Sequence, residues 1–267
     1  MKVISYSIFD KTAEPFELGF YLRGLYFNAR MNRLIYKDPT WMTCVHVGES
    51  LFDRHTKFFE ELEKYLYVRT FLQSDAPICE SMLWRMRPIF YENCSHIICR
   101  DADAITTYKE AQAVQQWVDS GLGFHGITDN PAHSLPMMGG MVGFKVDHFK
   151  AEFPQWTSFE EMIKGQDLSK RGSDQDFMMK KIYPFVKTNM MGHFFDGCKE
   201  KVKITHHTTG NVIPGVDSRL WESNLTCRHI GSPGVVEMET LRFFKRFDKT
   251  DYSEFEKQFP DIFYWAK

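Results

Sequence analysis

The chain has 267 residues, of which 43% are hydrophobic, 25% charged and 15% aromatic. Its 33 lysines and arginines nearly balance its 35 aspartates and glutamates, so that the net charge is −2. These proportions exclude a mainly disordered chain, and the charge argues against a basic nucleic-acid coat or an acidic tail. They predict a globular protein that is long enough to bury a core without covalent cross-links.

The beginning of the chain lacks the pattern of a targeting signal. Its short apolar run is broken by Asp10 and Lys11, whereas a signal peptide needs a longer apolar core. No stretch approaches the roughly 20 apolar residues of a membrane-spanning helix. The six cysteines are scattered without a C-x-x-C pair, which is typical of free thiols in a reducing compartment. We therefore expect a cytoplasmic protein without a transmembrane segment.

Hydrophobic periodicity predicts strands and helices that alternate between residues 3 and 187. In chain order, the pattern predicts strand 3–9, helix 14–34, strand 41–47, helix 51–66, helix 81–91, strand 94–99, helix 107–118, strands 124–127 and 141–146, and helix 174–187. Such alternation is typical of an α/β layer fold. Ligands of open α/β sheets bind outside the carboxyl ends of the strands. The residues that follow each strand are therefore the first candidates for a functional site.

Two aspartates follow the predicted buried strand 94–99, in the sequence Arg100-Asp-Ala-Asp103. Two carboxylates on one short turn repel each other unless a cation or a basic side chain lies between them. Mg²⁺ and Mn²⁺ take oxygen ligands of this kind and keep open positions for phosphate oxygens. A D-x-D pattern also occurs in solvated turns that cap a helix. Its position directly after a buried strand favours the metal site.

A loop bounded by prolines follows the strand at 124–127. It contains Asp129 and His133, and it leads into the pair Gly139-Gly140. Adjacent glycines before a strand permit positive φ or the close approach of a ligand. An ordinary loop and hairpin would show the same pattern.

Two later positions also carry candidate chemistry. Ser173-Asp-Gln-Asp176 opens the helix at 174–187, and Asp174 is either a site carboxylate or a helix cap. His193 is either a structural histidine or a nitrogen ligand for the same ion as the paired aspartates. Arg85 and Arg87 precede the D-x-D strand, and their guanidinium groups suit phosphate or base contacts. Ion pairs on a helix surface are the alternative for these arginines.

Together, these features resemble the nucleotide-sugar-dependent glycosyltransferases of the GT-A fold and D-x-D type. The resemblance covers residues 1–200, and it extends to bacterial and viral members and to the retaining, galactosyltransferase-like branch. It implies a Rossmann-like mixed sheet flanked by helices in a catalytic domain at 1–200. Residues 201–267 would form a C-terminal extension on the acceptor side.

The resemblance also implies roles for individual residues. It makes Asp101, Asp103 and His193 the ligands of Mn²⁺ or Mg²⁺. It makes Asp174, Gln175 and Asp129 the catalytic candidates, with a carboxylate beside the oxocarbenium-like centre. Lys199 keeps its spacing from His193, although the glycine of the late motif is one place late and its Pro-Trp is absent. The residues expected at the sugar-nucleotide donor are Tyr6, Arg85, Arg87, Arg100, Asp101, Ala102, His133, Gly139, Gly140 and Lys199.

The function implied is the metal-dependent transfer of one sugar from a UDP- or GDP-sugar, with UDP favoured, to an acceptor. A glycan, a protein and a modified DNA base are the candidate acceptors, and the DQD segment favours retention of configuration. A metal-dependent nucleotidyltransferase or phosphohydrolase would use the same aspartates. A protein that binds sugar nucleotides without turnover is the third hypothesis.

Overall fold

The computed structural model of the protein describes residues 1–10, 15–128, 135–194, 241 and 244–263. In these residues the strands are β1 (Lys2–Ile8), β2 (Trp41–Gly48), β3 (Arg69–Gln73), β4 (His96–Arg100), β5 (Phe124–Thr128), β6 (Met141–Lys145) and β7 (Met190–Phe194). The helices are α1 (Pro15–Ile35), α2 (Glu49–Leu66), α3 (Ile78–Leu83), α4 (Tyr108–Ser120), α5 (Val146–Glu152), α6 (Phe159–Ile163), α7 (Ser173–Phe177), α8 (Tyr183–Val186) and α9 (Ser253–Lys257).

The seven strands form one mixed sheet in the order β3-β2-β1-β4-β6-β5-β7. Strands β1 to β4 are parallel, β6 is antiparallel to both of its neighbours, and β7 is parallel to β5. The chain moves outward in one direction from β1 to β3 and then crosses to the other side of β1 with β4. This crossing makes a topological switch point between β1 and β4. The predicted α/β fold is confirmed.

Helices cover both faces of the sheet because its central strands are apolar on both sides. In β4, Ile98 packs in one hydrophobic core, whereas Ile97 and Cys99 pack in the other. The first core includes α1, α2, α4 and residues 244–263. The second includes α3, α5, α6 and the helices after residue 172.

Two predicted helices are interrupted in the structure, and a proline lies within or just after each interruption. The helix predicted at 81–91 becomes α3 followed by a 3₁₀ helix, Trp84–Phe90, which contains Pro88. The helix predicted at 174–187 contains a π-helical turn, Met178–Ile182, just before Pro184. Proline has no amide hydrogen and cannot make the i to i−4 hydrogen bond of an α-helix. The sequence predicted the other helices and strands that it named to within a few residues.

Five elements were not predicted from the sequence: β3, β7, α5, α6 and α9. Strands β3 and β7 are the two edges of the sheet, where a strand needs less apolar sequence than in the centre. Helix α5 begins directly after β6, with no turn residue between them. Within the residues that the structure describes, no helix is both long enough and apolar enough to cross a membrane.

The segment at 244–263 packs against α1 through Arg30. The Arg30 guanidinium lies 4.0 Å from the ring centroid of Phe244 and 4.4 Å from that of Tyr252. Its Nη2 atom is 3.1 Å from Asp248 Oδ2, and the two side chains are only 6% and 4% exposed. A charged pair this deeply buried is costly to break because either partner alone would be left without compensation.

Replacing Arg30 by methionine is therefore expected to lower the free energy of unfolding by about 3 kcal/mol. The methionine keeps the apolar stem but leaves the Asp248 carboxylate buried and unpaired. Urea unfolding monitored by circular dichroism measures the loss. Arg54→Met is the matched control, since Arg54 pairs with Asp10 at 2.6 Å but is 47% exposed. The control should lose about 1 kcal/mol or less, and equal losses in the two variants would contradict the prediction.

Candidate active site

A cavity of about 790 Å³ opens at the switch point, outside the carboxyl ends of β1 and β4. This volume lies within the range of small-molecule binding sites. Its walls come from the end of β1, the turn after β4, the glycine pair before β6 and the start of α7. The lining residues used below are Arg85, Asp101, Ala102, Asp103, Gly139, Gly140, Arg171, Asp174 and Gln175.

Arg85 is the central cation of the cavity. The 3₁₀ helix that follows α3 carries it, and its side chain is 4% exposed. Its Nη1 atom donates to Asp101 Oδ1, and its Nη2 atom lies 3.9 Å from Asp174 Oδ2. Burial alone would lower the pKa of Arg85, but the carboxylates of Asp101 and Asp174 outweigh it and raise the pKa above its usual value. The guanidinium therefore stays charged between two carboxylates.

The glycine pair makes room for the pair formed by Arg85 and Asp101. A Cβ atom at Gly140 would overlap the Asp101 carboxylate, and one at Gly139 would lie 2.9 Å from Arg85 Nη2. Neither glycine has positive φ. Close approach, one of the two expectations from the sequence, is thus the reason for glycine here, and the groups that approach are the protein's own side chains.

Gln175 holds the glycine loop through both ends of its amide. Its Oε1 atom accepts from the Gly139 amide at 3.1 Å, and its Nε2 atom donates to the Met137 carbonyl. Gly172, just before α7, has a φ of 85°, which favours glycine. Asp174 follows on the first turn and is 4% exposed. The start of α7 thereby places a buried carboxylate in the cavity and fixes the loop opposite.

Most of the site residues predicted from the sequence and described by the structure line this one cavity. They are Arg85, Asp101, Ala102, Asp103, Gly139, Gly140, Asp174 and Gln175. Asp129, His133 and Lys199 lie outside the described residues. Four other predicted site residues, namely Tyr6, Arg100, Arg87 and His193, lie elsewhere.

Tyr6 and Arg100 point to the α1 and α4 side of the sheet. The Tyr6 hydroxyl is 3.3 Å from Thr106 Oγ1, and burial raises its pKa to about 12. The Arg100 guanidinium is paired with the buried Glu110 of α4. Successive side chains alternate between the faces of a strand. Asp101 therefore lines the cavity, whereas the Arg100 side chain, one residue earlier, lies on the opposite face of the sheet.

Arg87 forms a surface contact outside the cavity. Its guanidinium lies 4.1 Å from the ring centroid of Phe159 and 2.8 Å from Glu160 Oε1. This is the ion pair on a helix surface that the sequence left as the alternative for this arginine.

His193 lies on β7, inside the protein and next to α4. Its Nδ1 atom is 2.9 Å from His125 Nε2, and its Nε2 atom is 3.0 Å from Gln116 Oε1. Burial lowers its pKa to about 4. Both ring nitrogens thus contact other side chains, whereas the resemblance implied that His193 binds the same metal ion as Asp101 and Asp103. In the described part of the chain, no group of three histidines, cysteines, aspartates or glutamates is arranged to hold a metal.

The sequence interpretation missed Arg171, which lines the cavity next to the start of α7. The residue is exposed, and no ion pair to it is found among the described residues. Cys79 Sγ donates to the Lys170 carbonyl at 3.0 Å and ties this loop to α3. The position of Arg171 just before the DQD segment could have indicated a role in the site. It was missed because the sequence interpretation began with residues that follow a strand, and Arg171 follows a loop.

No family model and no curated protein matches the sequence. Among solved structures, the chain is similar to a candidate nucleotide-diphospho-sugar transferase from Desulfovibrio desulfuricans, with a TM-score of 0.46, 10% identity, and coverage of 92% of this chain and 96% of that one. It is similar to a mannosyltransferase from Pyrobaculum calidifontis in complex with GDP-Man and Mn²⁺, with a TM-score of 0.43, 11% identity, and coverage of 99% and 71%. A cytidylyltransferase from Leptospira borgpetersenii gives a TM-score of 0.39, 14% identity, and coverage of 94% and 97%.

Proposed function

We propose that the protein is a glycosyltransferase that binds a nucleotide diphosphate sugar in the cavity at the switch point. The observation that carries the proposal is the joint presence of the D-x-D carboxylates and two guanidinium groups, those of Arg85 and Arg171, around one cavity. Carboxylates suit a divalent cation, and guanidinium groups suit phosphate oxygens. A diphosphate held by a metal ion needs both. The mixed, Rossmann-like sheet supports the proposal because the cavity lies at its switch point, where such folds bind nucleotides.

The carboxylates fit a hard divalent cation. Asp101 is 43% exposed on its side chain although one oxygen is paired with Arg85, and Asp103 is partly exposed beside it. Mg²⁺ and Mn²⁺ are commonly bound by one or two carboxylates, with the remaining positions taken by water and substrate phosphates. When bound, the ion would offset the negative charge of the diphosphate leaving group. In this proposal Asp103 would be the direct ligand, and Asp101, which is paired with Arg85 through one oxygen, would be the second carboxylate to hold the ion.

In the proposed reaction, the bond between the anomeric carbon and the diphosphate oxygen breaks, and its electron pair leaves with the nucleoside diphosphate. The new bond forms to an acceptor hydroxyl, whose proton is released. Arg85 and Arg171 bind the phosphate groups, and the buried Asp174 carboxylate faces the electron-poor sugar ring. The proposal includes retention of configuration, which the DQD segment suggests and which the anomeric proton signals of the product test.

Calorimetric titration with UDP-, GDP- and dTDP-sugars, each with and without Mn²⁺, tests the binding step. We expect one donor to bind in the presence of Mn²⁺ and the nucleoside diphosphate to be the product. Release of sugar-1-phosphate would indicate a nucleotidyltransferase, and release of inorganic phosphate a phosphohydrolase. Binding without turnover, after a screen of glycan, protein and hydroxymethylated DNA acceptors, would indicate a binding protein. Binding of no sugar nucleotide would contradict all of these functions.

Arg171→Ala is expected to weaken binding of the donor nucleotide about tenfold, because it removes a phosphate partner. The difference should shrink as salt is raised, since the side chain is exposed and its charge is screened. Titration at low and high ionic strength measures both effects. Lys170→Ala is the matched control, because Lys170 is the neighbouring exposed cation and pairs with Asp167 at 3.9 Å. Equal weakening by the two variants would contradict a specific role for Arg171.

A further inference from the structure

The turn that carries the two aspartates is held from behind by helix α1. Gly24, Asn28 and Asn32 follow each other at intervals of four residues along this helix, and residues at this spacing share one face of a helix. The first two contact the turn after β4. Asn32 contacts the strands instead.

Asn28 bonds to the turn on both sides of Asp103. Its Nδ2 atom donates to the Ala102 carbonyl at 3.0 Å. Its Oδ1 atom accepts from the Thr106 amide at 2.8 Å and from Thr106 Oγ1 at 3.0 Å. Asn28 is fully buried, and Ala102 and Thr106 are 4% and 1% exposed. One amide thus spans the turn from the residue before Asp103 to the third residue after it.

Gly24 sets how closely the helix approaches the same carbonyl. A Cβ atom at this position would overlap the Ala102 carbonyl oxygen and lie 3.3 Å from Asp103 Cα. Gly24 is therefore needed for the contact that lets Asn28 reach the turn. Two residues of α1, one turn apart, converge on the peptide that carries Asp103.

We propose that Asn28 is a positioning residue, which fixes the backbone of the D-x-D turn so that Asp103 points into the cavity in a preformed geometry. The inference rests on the proposed function, since it assigns Asp103 the task of binding a cation. Residues that orient a metal ligand typically contribute tenfold or more to metal affinity. Asn28 itself is not among the residues that line the cavity.

Asn32 provides a matched control. It is also buried on α1, 3% exposed, and its Nδ2 atom donates to Tyr6 Oη at 3.2 Å and to Thr43 Oγ1 at 3.0 Å. Asn28→Ala and Asn32→Ala each remove a buried amide from the same helix. Thr106→Val is a milder variant at the turn, because it keeps the side-chain volume and removes one of the three Asn28 hydrogen bonds, together with the contact of Thr106 Oγ1 with the Tyr6 hydroxyl.

Hydrogen exchange of the peptide spanning residues 101–107 measures whether the turn is held. In Asn28→Ala we expect exchange there to rise at least about tenfold over the wild type, with a smaller rise in Thr106→Val and none in Asn32→Ala. Titration with MnCl₂ in the presence of the nucleotide should show affinity weakened about tenfold or more in Asn28→Ala alone. Should Asn28→Ala fail to fold, Thr106→Val carries the comparison with Asn32→Ala.

Two results would overturn the inference. One is a turn that exchanges in Asn28→Ala and Thr106→Val as slowly as in the wild type. The other is a Mn²⁺ affinity lowered as much by Asn32→Ala as by Asn28→Ala, which would show a general effect of destabilising α1. If the wild type binds neither Mn²⁺ nor any sugar nucleotide, the proposed function fails, while the exchange experiment still decides whether Asn28 holds the turn.

Discussion

Asp103→Asn is expected to lower sugar transfer about 1,000-fold, because an amide oxygen lacks the negative charge that holds a divalent cation against a diphosphate. The substitution keeps the size of the side chain, so its main effect is on charge in the cavity. Donor binding in the presence of Mn²⁺ should weaken, whereas donor binding without metal should change little. Rates with saturating Mn²⁺ and calorimetric titrations with and without the ion measure these quantities.

Asp147→Asn is the control for this experiment. Asp147 is 69% exposed and lies 3.8 Å from Lys145 Nζ, on the helix that follows β6. Its replacement should leave transfer within about twofold of the wild type, as is usual for an exposed side chain away from the site. Thermal unfolding of both variants separates loss of activity from loss of fold. Full activity of Asp103→Asn would contradict the proposal that Asp103 is a direct metal ligand.

The position of the site could be predicted because two local patterns agree with the topology. Strand β4 is a short apolar run that stops at two aspartates, and the carboxyl end of a strand is where α/β sheets bind ligands. The glycine pair precedes β6, and it lies near this edge because β6 runs antiparallel to β4, with Met141 opposite Arg100. The structure places both segments and the DQD segment around one cavity.

Side-chain direction could be predicted less well, although one signal was present. Ile98 lies in the core under α1, and alternation along the strand places Arg100 on the same side and Asp101 on the other. The alternation of side chains along β4 thus indicates that Arg100 and Asp101 lie on opposite faces of the sheet. Which of the two sides faces the cavity depends on how the helices pack, and neighbouring residues in sequence do not determine that.

The contacts of His193 and Arg171 depend on tertiary structure that the sequence does not display. His193 contacts His125 because β7 pairs with β5 at the edge of the sheet, and β7 has no apolar alternation to reveal it. Arg171 reaches the cavity because a glycine turn and the Cys79 contact fold its loop back over α3. The spacing of residues in the sequence near His193 and Arg171 predicts neither of these positions.

Arg85→Met is expected to abolish donor binding and to lower the free energy of unfolding by about 3 kcal/mol or more. Methionine fills much of the same volume, but it leaves the Asp174 carboxylate, 6% exposed on its side chain, without its nearby cation. It also frees Asp101, which Arg85 holds against the glycine pair. Urea unfolding and nucleotide titration measure the two losses separately.

Arg87→Met is the matched control, since Arg87 lies on the same 3₁₀ helix. Its guanidinium is paired with Glu160, which is 66% exposed, so the loss of stability should be about 1 kcal/mol or less. Nucleotide binding should be unchanged because this guanidinium points away from the cavity. A similar loss of binding in both variants would show that disturbing the 3₁₀ helix, and not removing the charge of Arg85, is responsible.

The double variant Arg85→Met/Asp174→Asn separates the structural role of Arg85 from its functional role. Removing the carboxylate together with the guanidinium leaves no unpaired buried charge, so the double variant should recover about 1–3 kcal/mol relative to the sum of the single losses. Nucleotide binding should not recover, because the phosphate partner is still missing. Recovery of both would mean that Arg85 serves only to neutralise Asp174. Recovery of neither would mean that the two side chains, although 3.9 Å apart, are not energetically coupled, and the arrangement of charges proposed for the cavity would then be wrong.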